Sequence, residues 1–186
     1  MANLDTRGGF IPLDRLNGGN WTGQLRRYKK EASVILAPGD PVVLTGDSTA
    51  DGVPLIDRAA SASGTITGIV NHIDPIRTDL SKKHMAAADT GFVYVIDDPT
   101  VLFELQEDSD GGSLAGTDVG RGADIIVANA NTTTGISQVM LDSSTAGQAQ
   151  VQIMGLVQRE DNAIGTYARW IVRINEHTYN ATATLI

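Results

Sequence analysis

Residues 150–158 read QVQIMGLVQ and residues 167–174 read YARWIVRI. In the first stretch Val151, Ile153, Gly155 and Val157 alternate with Gln150, Gln152 and Gln158. In the second, Ala168, Trp170, Val172 and Ile174 alternate with Arg169 and Arg173. Successive side chains of a strand point to opposite faces, so a period of two marks a strand with one face in a core and one in water. The pattern places Val151, Ile153, Val157, Trp170, Val172 and Ile174 inside. Working outward, short apolar runs recur between turn signals. Val34–Leu36 and Val42–Leu44 flank a tight turn, Ala37-Pro38-Gly39-Asp40-Pro41. Ile66–Ile73 follows a Ser/Ala/Gly loop. Phe92–Ile96 and Val101–Leu105 flank Asp97-Asp98-Pro99-Thr100, which reads as a hairpin connection. Ile125–Val127 and Ile136–Leu141 bracket a polar loop. Only Leu80–Ala88 reads as helical, with Asp79 or Ser81 as N-cap. The expected fold is all-β, a sandwich or small barrel (jelly-roll-like), with an extended N-terminal arm and at most one short helix.

The bulk numbers agree. A chain of 186 residues is long enough for a real core. Twenty glycines fit turns between short strands, and the absence of cysteine excludes a disulfide framework and thiolate zinc sites. No run approaches the about 18 apolar residues of a membrane helix. The opening MANLDTRGGFIPLDRLNGG has no apolar stretch of secretory type. No repeat of fixed period is visible, which argues against a solenoid or propeller.

Charge is uneven. Of the formal −8, residues 1–30 contribute +4 and the remainder −12. Residues 97–118 hold seven acids and no base. The first 31 residues read as an arm and 32–186 as the β-rich body: Gly8-Gly9 and Asn17-Gly18-Gly19 punctuate the arm, and its hydrophobes lack period. A segment of that kind lies across its own body, a neighbouring subunit or another protein. Its docking candidates are Phe10, Ile11, Leu13, Leu16 and Trp21 for apolar contact, with Arg26, Arg27, Lys29 and Lys30 for charge pairing.

Catalytic constellations are not read. His72, His84 and His177 are far apart in sequence and form no HExxH pair. There is no Gly-x-Ser-x-Gly elbow and no P-loop, and no cofactor or metal is expected. Around Glu107-Asp108-Ser109-Asp110-Gly111, setting Gly111 at the sixth position of a calcium loop puts Thr117 where a bidentate Glu belongs. A solvated turn is the expectation there. An acidic body repels phosphate, so Arg26-Arg27-Tyr28-Lys29-Lys30 is read as facing an acidic protein surface rather than nucleic acid.

Several stretches resemble small virion proteins of tailed bacteriophages. They are Arg7-Gly8-Gly9-Phe10, Arg26-Arg27-Tyr28, Asp97-Asp98-Pro99, Phe103-Glu104-Leu105-Gln106-Glu107-Asp108 and Thr132-Thr133-Thr134-Gly135. Leu141-Asp142, Arg159-Glu160-Asp161-Asn162 and the closing Ala168–His177 complete the set. The resemblance spans most of the chain, in structural rather than catalytic words. It implies a capsid decoration (cement) protein, made in the bacterial cytoplasm and seated on the virion exterior. Its partners would be the major capsid protein and itself, as a homotrimer or, as the alternative, a dimer. A head–tail completion or tail-tip protein is the second reading. A carbohydrate-binding sandwich and an enzyme on a β-trimer scaffold rank lower, for want of outward aromatics and of a carboxylate–tyrosine motif respectively.

Overall fold

The computed structural model describes residues 3–110, 112–146 and 149–180, so Gly111 and the last six residues of the expected body lie outside the described residues. Those described form eleven strands and one 3₁₀ turn at Gly116–Asp118, with no α-helix among them. The strands are β1 (Ile11–Arg15), β2 (Arg26–Lys30), β3 (Pro41–Ser48), β4 (Pro54–Arg58), β5 (Gly68–Ile73) and β6 (Phe92–Ile96). β7 (Val101–Gln106), β8 (Gly122–Ile126), β9 (Met140–Ala146), β10 (Val151–Leu156) and β11 (Arg169–Ile174) follow.

The fold is all-β, built as a small closed barrel, β2-β4-β3-β5-β6, beside a six-stranded sheet, β1-β7-β11-β10-β8-β9. The sheet curls on itself: Leu141 of β9 bridges Glu107 just past β7, and Asp108 N donates to Leu141 O at 2.9 Å. Inside the curl lie Phe103, Leu105, Ile125, Val151, Ile153, Trp170, Val172 and Ile174. The barrel has its own interior of Tyr28, Val42, Ile56, Val70, Val93 and Val95. Leu36 and Met85 join that interior, joined to each other by two backbone bonds of 3.0 and 2.8 Å. Ile66, Ile69 and Ile96 turn away from the barrel into the sheet's core, and that shared layer locks the two parts together.

The alternation read in β10 and β11 holds, since all six residues assigned to the core are buried. On the other face Gln152 opposes Arg173 and accepts its Nε–H at 2.7 Å. Gln150 departs from the pattern. It is fully buried, donating from Nε2 to the carbonyls of Ala60 and Ser63, both at 3.0 Å, so its amide fastens the 60–64 loop to the sheet.

Three expectations are corrected. First, Asp97–Thr100 is not a hairpin loop: β6 lies in the barrel and β7 in the sheet. Asp98 Oδ1 accepts from Thr100 N (2.9 Å) and Thr100 Oγ1 (2.7 Å), a side-chain-closed turn that sends the chain across instead of back. Second, Leu80–Ala88 is not helical. Asp79 Oδ1 accepts from Ser81 N (3.1 Å), closing a turn rather than capping a helix, and the chain proceeds by turns because His84 and Met85 are drawn into burial. Two turns of helix are marginal alone, and packing of Met85 decides.

Third, residues 3–31 are not an arm outside the body. β1 pairs with β7, and β2 is a barrel wall pairing with both β4 and β6. Phe10 stands edge-on to Phe103, ring centres 5.6 Å apart. Residues 3–6 lie over the sheet: Asn3 Nδ2 donates to Ala163 O (2.8 Å) and Arg169 Nη2 donates to Thr6 O (2.9 Å). The hydrophobes lack period because β1 is a five-residue edge strand broken by a register shift after Pro12, and β2 spends only Tyr28 and Lys30 on the interior side.

Candidate functional site

The expected docking residues scatter once folded. Phe10 is 2% exposed, and Trp21 is half-buried against the sheet core, so neither offers a free apolar surface. Leu13 is half-buried, and only Ile11 (40%) and Leu16 (48%) are substantially open. The hydrophobic part of the expected site is therefore corrected: most of it is consumed in joining residues 3–25 to the body.

The four cations divide by the geometry of β2. Lys30 points inward, 3% exposed, and its ammonium donates to the carbonyls of Val34 (2.9 Å), Glu31 (3.0 Å) and Ala87 (3.3 Å). Burial pushes its pKa down, with Asp89 opposing. It is a structural fastener, and its assignment to a docking surface is corrected. Arg26 is held by Asp97 at 3.1 Å. Asp97 also accepts from Tyr28 Oη at 2.7 Å, and Tyr28 Oη meets Tyr179 Oη at 3.0 Å. Burial, then the bonds to Tyr179 and Asp97, raise the Tyr28 pKa and keep the phenol neutral. That leaves Arg27, exposed, and Lys29, half-exposed, which enter no ion pair among the described residues.

Pairing brings to these two cations residues that the sequence reading left aside. Lys29 lies opposite Phe92 and Arg27 opposite Tyr94. The Arg27 guanidinium sits 4.3 Å from the Phe92 ring centre and the Lys29 ammonium 5.0 Å. The available signal was the alternation in Phe92–Ile96, whose valines go inward and whose aromatics therefore go outward. What sequence could not supply was β2 as the neighbour.

The acidic stretch also differs from expectation. Glu107 is fully buried and Asp108 is 5% exposed, so the first half of this stretch is not solvated, while Ser109 and Asp110 are exposed as a turn would be. Glu107 Oε2 accepts from Trp170 Nε1 (2.8 Å) and from Leu114 N (3.1 Å), fastening Leu114 beside Trp170 over the core. Asp108 Oδ1 accepts from Ser143 N at 3.0 Å. Burial pushes Glu107 up to about 7, against the lowering bond from Trp170. Of the histidines, His72 stacks on Tyr94, and His84 and His177 are buried. Among the described residues no group of three or more His, Asp or Glu is placed to hold a metal ion.

A second buried acid gives a pH-dependent expectation. Asp40 is fully buried, its Oδ2 accepting from Ala37 N at 2.9 Å, and burial pushes its carboxyl up to about 6 from an ordinary 3.8. A raised acid favours the fold when protonated, so its contribution is full below about pH 4 and is lost as pH rises through 6. His177 works the other way: burial lowers its pKa, and its contribution fades below its ordinary 6.5. The variant difference therefore isolates the acid better than the wild-type profile does. Asp40→Asn is expected to be more stable than wild type at pH 8, by on the order of 2 kcal/mol, with the gap closing toward pH 4. Urea unfolding at a series of pH values checks this, and a gap independent of pH would contradict it.

No protein-family model matches the chain, and no curated protein matches it.

Proposed function

We propose that this chain is a structural virion protein that binds the outside of a tailed-phage capsid and stabilises the head. The observation that carries the reading is where the phage-like stretches fall in the fold. Arg7–Phe10 forms the joint at which Phe10 N donates to Gly39 O (3.0 Å). Asp97-Asp98-Pro99 is the crossing between barrel and sheet, and Phe103–Asp108 covers most of β7 and its Trp170 anchor. Ala168–His177 is β11 with the residues just after it, where Ile66 N donates to Glu176 O at 2.8 Å. Four of the eight quoted stretches thus lie where the architecture is held together, while Thr132–Thr134 lies in an exposed turn, and the four support a common framework rather than a common chemistry.

The physical role follows from what a filled head requires. Packaged DNA loads the shell from within, and the seams where shell subunits meet are its weak points. A decoration protein adds apolar burial across a seam, at about 25 cal/mol per Å² of apolar surface, together with charge pairs at the rim. Repeated over the shell, modest contacts sum to a large effect. Closed symmetry favours a homotrimer on local three-fold positions, with a dimer on two-fold positions as the alternative. The main partner is the major capsid protein, and no membrane or nucleic acid is engaged. No helix among the described residues is long and apolar enough to cross a membrane.

Purified particles of the virus encoding the chain provide the test. Quantitative mass spectrometry is expected to count it at a multiple comparable to the shell subunits. A count near a dozen or fewer favours the head–tail or tail-tip reading, which predicts a single ring. Presence in lysate with absence from particles removes both.

A further inference from the structure

The two cations that the fold leaves free on β2 stand on an aromatic floor. Arg27 and Lys29 both reach over Phe92, and beside them Tyr94 is stacked with His72 of β5, ring centres 4.3 Å apart and planes inclined by 14°. The outer surface of β2, β6 and β5 thus carries one continuous strip of Lys29, Phe92, Arg27, Tyr94 and His72. Next to Phe92 the surface sinks into an open hollow of about 400 Å³ whose walls include Lys29, Arg77 and Ile76. Arg77 has no ion pair among the described residues either. Of the two acids in the hollow, Asp89 is engaged by Lys82 at 2.7 Å, leaving Asp74.

A cation laid on a ring is held in place and partly stripped of water before any partner arrives. Less side-chain freedom is then lost on binding, so each contact contributes more to affinity than one from a waving lysine. The rest of the chain is strongly acidic, and this strip concentrates cations that its own carboxylates have not claimed. Resting on the decoration reading, the geometry points to the outer face of β2–β6–β5 as the seat for a carboxylate-rich segment of the capsid protein. The hollow beside Phe92 takes an apolar neighbour of those carboxylates. A nucleic acid strand is a poorer fit. Phe92 already bears two cations and Tyr94 already bears His72, so bases meet rings in use, and a body of balance −12 repels a polyanion at range. The assignment also relocates attachment from the buried N-terminal hydrophobes to the barrel wall.

The test uses the full chain in three forms: wild type, Arg27→Glu/Lys29→Glu, and a charge-matched control, Arg7→Glu/Arg121→Glu, whose exposed cations lie on the six-stranded-sheet side. Arg27→Gln/Lys29→Gln serves if reversal disturbs β2, as judged by the unfolding midpoint. Binding to shells lacking the protein is expected to weaken about tenfold or more at low salt for the β2 variant and to stay within about twofold for the control. The gap should narrow at high salt. Free polyglutamate is expected to bind wild type and not the β2 variant. Equal shell binding by the two overturns the assigned face. Polyglutamate binding that ignores Arg27 and Lys29, or oligothymidylate binding that depends on them, overturns the acidic-protein partner. Wild type that binds polyglutamate through these residues but leaves shells bare keeps the face and removes the decoration reading.

Discussion

Replacing Trp170 with alanine is expected to destabilise the fold by about 3–5 kcal/mol. The indole is fully buried within the curl of the six-stranded sheet, among Phe103, Leu105, Ile153 and Val172. Its removal leaves a void that strands fixed on both sides by pairing to β7 and β10 cannot readily collapse. A second loss adds to the first. Trp170 Nε1 donates to Glu107 Oε2, and Glu107 Oε1 is buried with no partner of its own. Without the indole, this carboxyl keeps the Leu114 N–H at 3.1 Å as its remaining side-chain bond. Trp170→Phe separates the two effects: it retains most of the volume and loses the bond, for about 1–2 kcal/mol. Chemical denaturation of both variants measures this. A change below about 1 kcal/mol for the alanine variant would mean that the sheet is not closed around this residue.

Gly9→Ala is expected to be nearly as damaging, at about 2–4 kcal/mol, although it adds a single methyl group. Gly9 has φ +64°, and a Cβ there would fall against Ser137 Oγ and within 2.5 Å of Gly39 O. Gly39, at φ +92°, faces it, so two glycines let the N-terminal segment pass over the start of the barrel. Phe10 follows directly and depends on that crossing for its seat against Phe103. Gly18→Ala is the control. Gly18 has φ +79° but nothing within 4 Å of an added Cβ, so it pays only the backbone term, about 1 kcal/mol. Equal effects at the two positions would show that the joint is looser than described. The same geometry means that deleting residues 2–20 should unfold the body and not merely unhook it.

What the sequence disclosed depended on whether a residue's partner was its neighbour in the chain. β10 and β11 were legible because both faces declare themselves within nine residues, and β6 was placed to the residue for the same reason. β4 (Pro54–Arg58) was missed because its single inward residue, Ile56, gives no period. β2 was missed because its outer face is charged and its interior pair is a tyrosine and a lysine. The lysine was the least legible of all: Lys30 is exposed by type and buried by circumstance, accepted because three carbonyls converge on it. Charge composition suggested a basic docking end, and folding sorted its four cations into one fastener, one paired group and two free ones. The aromatic floor beneath the free pair comes from β6, more than sixty positions away, and no local pattern could have joined them.

The decoration role proposed above requires the protein to seat on the exterior of a capsid and to strengthen it. The most direct measurement adds purified wild-type chain to shells assembled without it, followed by imaging of the shells and measurement of their rupture temperature. Saturable density at repeated positions on the outer surface is expected, with a rise in rupture temperature that tracks occupancy. Shells that remain bare at saturating protein, or that fill without any gain in rupture temperature, would contradict it.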